Sequence, residues 1–263
     1  MRCVVICLLL IATTVRVGVA GESHEENLKS LCATVGMEAT DAERDAYVQR
    51  IVDRVDRLLE PILRTHRSEA EIVAGIKATF GGEEENRYDS LITLKSVPES
   101  DDIVVVYEVP RTSAWNLVRM VLRVWIPPDA SGKGGVLRHL EDRGRLLADI
   151  LYFRVKELGF LKHDGDQYLV MVGHDGNGQG SDGLSLWSLK DGVCLWALQP
   201  EYGDRTCNRV VGEDLFVRIA HNDFKDLGAH AYVTEEHFGW TQTAFVDLYT
   251  RGDDQPPICE LPR

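Results

Sequence analysis

The acidic and amide side chains near residue 175 are of the types that calcium prefers. Asp175, Asn177 and Gln179 alternate with glycines, as the first oxygen ligands of an EF-hand loop do. The twelfth position of such a loop needs a bidentate Glu, and here it holds Leu186. Because Gly and Asn also favour tight turns, the segment is predicted to be a hairpin turn, and neither a metal nor another cofactor is expected.

The eight histidines could provide a second kind of chemistry, general acid–base catalysis. None of them lies in a His-Glu-x-x-His pattern or in a nucleophile-elbow setting. A Ser/His/Asp triad could still assemble from residues that are distant in the sequence. We therefore expect no catalytic residues and no enzymatic activity, and a secreted hydrolase stays open as the least favoured alternative.

Arg251, Gly252 and Asp253 form a tripeptide with a more specific chemistry. It follows an apolar run at residues 245–249 and precedes Pro256-Pro257, so it is expected on an exposed loop tip. There the Asp253 carboxylate could coordinate the metal ion of an integrin while Arg251 pairs with integrin carboxylates. The tripeptide is therefore a candidate integrin-binding site, although motifs this short also arise by chance.

Composition limits the class of protein. The chain has 263 residues, 44% of them hydrophobic, and a formal net charge of −13, with 29 Lys and Arg against 42 Asp and Glu. This composition is typical of a globular protein with one large domain or two small ones. The acidic balance argues against a nucleic-acid partner and against a polybasic membrane anchor.

The N-terminus has the pattern of a secretory signal peptide. Arg2 precedes an almost entirely apolar run at residues 3–15, and Gly18-Val19-Ala20 offers small residues to a signal peptidase. The run is too short to cross about 30 Å of hydrocarbon, and no later run is long enough, so no membrane span is predicted. Residues 1–20 are therefore predicted to be removed, and the protein is predicted to be secreted and extracellular.

Cysteine usage agrees with an oxidising compartment. Removal of the signal peptide takes away Cys3 and Cys7 and leaves the cysteines that are expected to form disulfides. These are Cys32, Cys194, Cys207 and Cys259. Four cysteines allow three pairings, and the sequence does not choose among them. One possibility is a staple between the two that are close in sequence, Cys194 and Cys207, with the others paired together or left for a partner chain.

Two capping boxes predict two helices at the front of the chain. Thr40-Asp41-Ala42-Glu43 precedes an amphipathic pattern that predicts a helix over residues 41–65, which Pro61 is expected to kink or end. Ser68-Glu69-Ala70-Glu71 opens a second amphipathic pattern that stops at Gly81.

From about residue 91 the pattern changes to short, β-branched runs separated by Gly, Asp and Asn. Residues 136–158 are ambiguous, because their apolar spacing fits a helix that Gly144 interrupts. We predict an α+β fold in which a helical segment, residues 21–90, precedes an antiparallel β-sandwich, residues 91–263. Strands are predicted near residues 103–107, 117–126, 169–172, 184–188, 193–198, 215–219, 229–233 and 243–249.

Several segments together suggest a family. Residues 31–38, Leu-Cys-Ala-Thr-Val-Gly-Met-Glu, followed by the Arg-rich helix, resemble the start of the TGF-β prodomain, the latency-associated peptide. Residues 88–94 resemble the segment that links the helices of that family to its sheet domain. Residues 120–128 resemble its strand Ala-x-Leu-Arg-(Ile/Val)-(Tyr/Trp), and residues 153–175 resemble the short helix and strand that follow.

The resemblance implies a prodomain with a helical straitjacket around a growth-factor dimer and a β-sandwich arm domain that carries the integrin loop. It implies that Cys32 forms a disulfide to a partner protein, and that the chain forms a homodimer or a disulfide-linked complex. It further implies that an apolar stripe on the first helix covers a TGF-β-family growth factor. The stripe consists of Ile51, Val55, Leu58 and Leu59. On periodicity alone, packing of the stripe against the chain's own sheet is an equally good interpretation.

The chain lacks a growth factor of its own. Only Cys259 follows Cys207, so the cystine knot of the family's ligand cannot form, and no dibasic processing site is present. The resemblance therefore implies a prodomain-like extracellular binding protein without a ligand domain. The alternative is a secreted host-interaction or surface protein of unrelated α+β fold with two disulfides, which a helical front packed on its own sheet would favour.

Overall fold

The computed structural model describes Leu31 and residues 39–65, 68–82, 87–109, 119–141, 153–175, 182–198, 204–222, 230–241 and 244–251. The predicted signal peptide, the part of the predicted turn that follows Asp175, Cys32 and Cys259 lie outside these ranges. Among the described residues, no helix is both long and apolar enough to cross a membrane.

The two predicted helices are confirmed. Helix α1 spans Asp41–Thr65 and helix α2 spans Glu69–Phe80. At the start of α1, Thr40 Oγ1 accepts a hydrogen bond from Glu43 N at 3.3 Å, and Thr40 N donates to Glu43 Oε2 at 2.7 Å. Ser68 and Glu71 form the same reciprocal box at the start of α2. Helix α1 does not end at Pro61, which lies inside it.

Twelve described strands form three antiparallel sheets, each a meander of four consecutive strands. The front sheet contains β1 Ile92–Ser96, β2 Ile103–Val109, β3 Arg119–Pro128 and β4 Gly134–His139. The middle sheet contains β5 Phe153–His163, β6 Asp166–Asp175, β7 Asp182–Ser188 and β8 Val193–Leu198. The back sheet contains β9 Arg205–Val211, β10 Asp214–Asn222, β11 His230–Trp240 and β12 Phe245–Arg251, in the spatial order β12-β11-β10-β9.

Apolar clusters show how the layers are stacked. The first cluster joins Leu59 of α1 to Val105 of β2 and so holds the helices on the front sheet. The second joins Val104 of β2 to Met171 of β6, between the front and middle sheets. The third, which includes Val217 of β10, joins the middle sheet to the back sheet. The order of layers is therefore helices, front sheet, middle sheet and back sheet.

This stack confirms the α+β class, with N-terminal helices and antiparallel sheets, and corrects two details. The described β region has three sheets, whereas a two-sheet sandwich was predicted. The helix considered for residues 136–158 is wrong over 136–139, which belong to β4, and over 153–158, which belong to β5. A β-bulge between Val155 and Glu157 shifts the alternation, so Val155 and Leu158 both reach the cluster between the front and middle sheets. Their spacing of three imitates a helix.

Candidate functional site

The predicted integrin tripeptide begins at the end of the back sheet. Arg251 is the last residue of β12, and its backbone lies opposite Glu235 of β11. Strand β12 is an edge strand of the described sheet, since β11 is its only neighbour among the described strands. The predicted strand before the tripeptide is thus confirmed, while Gly252 and Asp253 lie outside the described residues.

A buried acid lies next to this end of β12. The Glu235 side chain is 7% exposed, and Arg218 Nε of β10 lies 3.6 Å from Glu235 Oε1. Residues that face each other across an antiparallel pair share one face of the sheet. The Arg251 position therefore lies on the same face as a carboxylate that already has one arginine beside it.

The stripe predicted to cover a growth factor lies in the chain's own core. Ile51, Val55 and Leu59 are 4%, 0% and 0% exposed, and Leu58 packs beside them partly buried. They pack with apolar residues of the front sheet such as Trp125. In this structure the stripe therefore packs inside the chain, which is the interpretation that the sequence pattern supported equally well. A growth factor has no access to the three buried residues in this structure.

A polar network also fastens α1 to the front sheet. Asp56 accepts hydrogen bonds from Arg123 Nε at 3.1 Å, from a second Arg123 nitrogen at 2.8 Å and from the Tyr107 hydroxyl at 2.7 Å. The Arg123 side chain is only 7% exposed. Burial is the main cause that raises the pKa of Tyr107 far above its usual range, so the hydroxyl keeps its proton and donates it. Each buried polar group in the network therefore has a partner.

The state of Cys194 in the structure differs from the predicted disulfides. Cys194 keeps a buried thiol, whose sulfur lies 3.5 Å from the Trp196 carbonyl oxygen. Its side chain belongs to the cluster between the front and middle sheets, whereas Cys207 lies on β9 of the back sheet and is disulfide-bonded. The disulfide predicted for Cys194 is therefore absent, and the staple between Cys194 and Cys207 is wrong.

The inner face of the back sheet, which packs on the middle sheet, changes from apolar to polar beyond Ile219. Thr234 lies opposite Ile219 in register, and His221 follows on the same face by the alternation of β10. His221 Nδ1 is 3.1 Å from Asp204 Oδ2, and His221 Nε2 is 2.8 Å from Thr234 Oγ1. The Asp204 side chain is 1% exposed. We call Asp204, His221 and Thr234 the polar triad; no motif in the sequence identified it.

Glu236 lies on the same inner face, opposite Val217 in register. Burial is the main cause that raises its pKa, the nearby Asp247 carboxylate raises it further, and His221 acts in the opposite direction. A carboxyl whose pKa is raised by folding destabilises the native state wherever it is ionised.

Replacing Glu236 with Gln is therefore expected to raise the melting temperature at pH 7.5 by a few degrees. The expected gain is about 2–4 °C for each kcal/mol of destabilisation that the substitution relieves. The advantage should shrink as the pH falls through the raised pKa of Glu236, and it should vanish below 4.5, the ordinary value, where both side chains are neutral. Thermal melts at a series of pH values measure the effect. Glu157→Gln, at an exposed position of β5, is the control; a pH-independent gain for Glu236→Gln would contradict the argument.

A cleft of about 300 Å³ opens between the middle and back sheets, at the edge strands β5 and β9. Among the described residues, its lining contains one acid, one amide and one base, and the other groups are apolar or glycine. None of these described lining residues carries a hydroxyl, a thiol or an imidazole. The lining residues are Glu157, Gly159, Phe160, Val170, Val172, Asn208, Arg209 and Val210.

Neither a metal-binding cluster nor a comparison with known proteins identifies further functional residues among the described ones. Within the described ranges, no three His, Cys, Asp or Glu side chains are grouped so that they could hold a metal ion. The chain matches no protein-family model, and no curated protein matches it. The likeness to TGF-β prodomains thus rests on the sequence segments alone.

Proposed function

We propose that this chain is a secreted, extracellular binding protein that engages integrins through Arg251, Gly252 and Asp253. The observation that carries the proposal is that Arg251 ends an edge strand of an otherwise well-packed sheet. Among the described strands, an edge strand leaves one side of its backbone without a neighbour in the sheet, so β12 offers that side to a receptor.

The start of β12 is firmly anchored, which supports the proposal. Phe245 is 7% exposed, and its ring centroid lies 5.6 Å from that of Trp196 and 5.3 Å from that of Trp240. Farther along the same strand, Leu248 is 43% exposed. The strand that leads to the tripeptide is thus anchored in the core at its start, and a ligand attached to an ordered strand loses less conformational entropy when it binds.

The second candidate is a prodomain-like protein whose arm domain and helices hold a TGF-β-family growth factor. Its support is the order of helices followed by antiparallel sheets. It would require α1 to leave the front sheet, because Val55 and Leu59 are fully buried there. This burial favours the unrelated α+β surface protein over the prodomain.

The integrin proposal is tested by solid-phase binding of the secreted protein to immobilised αv integrins in the presence of Mn²⁺. Asp253→Glu lengthens the side chain and displaces the carboxylate from the metal. We expect the variant to lose about 10- to 100-fold in affinity, the range for one charge-assisted contact.

Asp254→Glu is the matched control, since it makes the same change one residue beyond the tripeptide. It should bind like the wild type, and chelation of Mn²⁺ should abolish binding of both. Equal binding by Asp253→Glu and the wild type would remove the integrin proposal.

A further inference from the structure

Beyond integrin binding, we propose that the polar triad is an acyl-transfer site in which Thr234 Oγ1 attacks small carboxylic esters. The arrangement has the three features of an activated nucleophile: a hydroxyl, a base within hydrogen-bond reach of it, and a third group that orients the base. The two distances, 2.8 Å and 3.1 Å, lie within the range of hydrogen bonds.

The chemistry of the three groups gives each a distinct role. An ionised Asp204 carboxylate can only accept hydrogen bonds, so His221 Nδ1 carries the proton and donates it. In the neutral imidazole Nε2 then carries the acceptor lone pair, which takes the proton of the Thr234 hydroxyl. Because Asp204 is almost fully buried, its carboxylate is well placed to hold the ring in this tautomer and to stabilise the imidazolium.

The strand register keeps the site together. His221 and Thr234 lie on the adjacent strands β10 and β11, and a shift of one residue would turn the two side chains to opposite faces. The His221 side chain is 20% exposed and Thr234 is partly buried, so a small ester can reach both from solvent. The Thr234 methyl group crowds the hydroxyl, which favours small acyl groups such as acetyl.

The reaction proceeds in two balanced steps. Thr234 Oγ1 bonds to the ester carbonyl carbon as its proton moves to His221 Nε2, and the departing alkoxide takes that proton when the ester C–O bond breaks. Water then attacks the acyl-threonine, gives a proton to His221 and releases the carboxylic acid, and the proton returns to Thr234 Oγ1. Each step conserves protons and electron pairs and needs no co-reactant other than water.

A second histidine of the chain provides a comparison. His163 Nδ1 lies 2.7 Å from Glu213 Oε2, and its Nε2 lies 3.5 Å from Asp164 Oδ2. Within the described part of the chain, this histidine therefore pairs with carboxylates, and no hydroxyl lies within hydrogen-bond reach of its ring. His163→Gln is therefore the matched control for the loss of a histidine–carboxylate pair.

The test treats the secreted protein with p-nitrophenyl acetate, follows p-nitrophenol release, and locates the acetyl group by mass spectrometry after an acid quench. We expect acetylation of Thr234 in the wild type and in His163→Gln. His221→Gln should lower the acetylation rate about 100-fold or more, the usual contribution of a general base. Thr234→Val, which keeps the shape of the side chain, should abolish it, and Thr234→Ser should retain it.

Thermal melts establish that each variant is folded. Acetyl groups on other residues but none on Thr234 of the wild type would overturn the proposal without reference to any variant. Undiminished acetylation of Thr234 in folded His221→Gln would also overturn it, since the hydroxyl would then react without its base. The integrin-binding test uses variants of other residues, so the integrin proposal and the acyl-transfer proposal can each fail without the other.

Discussion

Replacing Asp56 with Ala is expected to lower the free energy of unfolding by about 3 kcal/mol. The substitution leaves the Arg123 guanidinium, 7% exposed, without the carboxylate that accepts two of its hydrogen bonds. It also removes the acceptor of the buried Tyr107 hydroxyl. The value lies at the lower end for broken buried pairs, because Asp56 itself is 28% exposed and water reaches it. Urea denaturation measures the loss.

Asp53→Ala is the control on the same helix, since the hydrogen bond that Asp53 accepts from Gln49 is exposed to solvent. We expect it to change stability by less than about 0.5 kcal/mol. Adding Arg123→Met to Asp56→Ala should recover part of the loss, because no uncompensated charge then remains buried. Equal losses for Asp53→Ala and Asp56→Ala would show that the network does not fasten α1 to the front sheet.

The sequence predicted the helices well because their ends are determined locally. Thr40 and Ser68 act through residues three positions away, and both capping boxes form as the sequence predicts. The four described strands that the sequence did not predict, β1, β4, β5 and β9, are all edge strands of their sheets. Edge strands tolerate polar residues, as in Arg205–Val211, so their hydrophobic pattern is weak.

Two sheets were predicted from the sequence where the described residues form three, although the pattern of strand β2 indicated an additional layer. All seven residues of Ile103–Val109 are buried, so β2 is covered on both faces. A sandwich strand with one wet face would alternate apolar and polar residues, whereas a continuous apolar run is typical of a strand between two layers. The uninterrupted run at residues 103–106 was thus an indication of more than two layers.

The polar triad could not be predicted, because it depends on strand register. Asp204, His221 and Thr234 belong to different parts of the chain, and they meet only when β10 pairs with β11 as observed. Register is determined by which faces the sheets bury against each other, a tertiary property that no local pattern contains.

A substitution in the apolar stripe of α1 is expected to cause the second large loss of stability. Leu59→Ala is expected to lower the free energy of unfolding by about 3 kcal/mol, within the range for a Leu-to-Ala change in a core, because Leu59 is 0% exposed. The loss combines the apolar area no longer buried with the cavity left between α1 and the front sheet. Urea denaturation of the isolated chain measures it.

Leu58→Ala is the control, one residue earlier on the same helix and only partly buried. We expect a loss of about 1 kcal/mol, in proportion to the smaller area that Leu58 buries. The comparison separates the two roles considered for the stripe. A surface reserved for a growth factor would contribute nothing to the isolated chain, so Leu59→Ala would then leave its stability unchanged. If Leu59→Ala loses about 3 kcal/mol and Leu58→Ala loses clearly less, the stripe stabilises the chain's own fold.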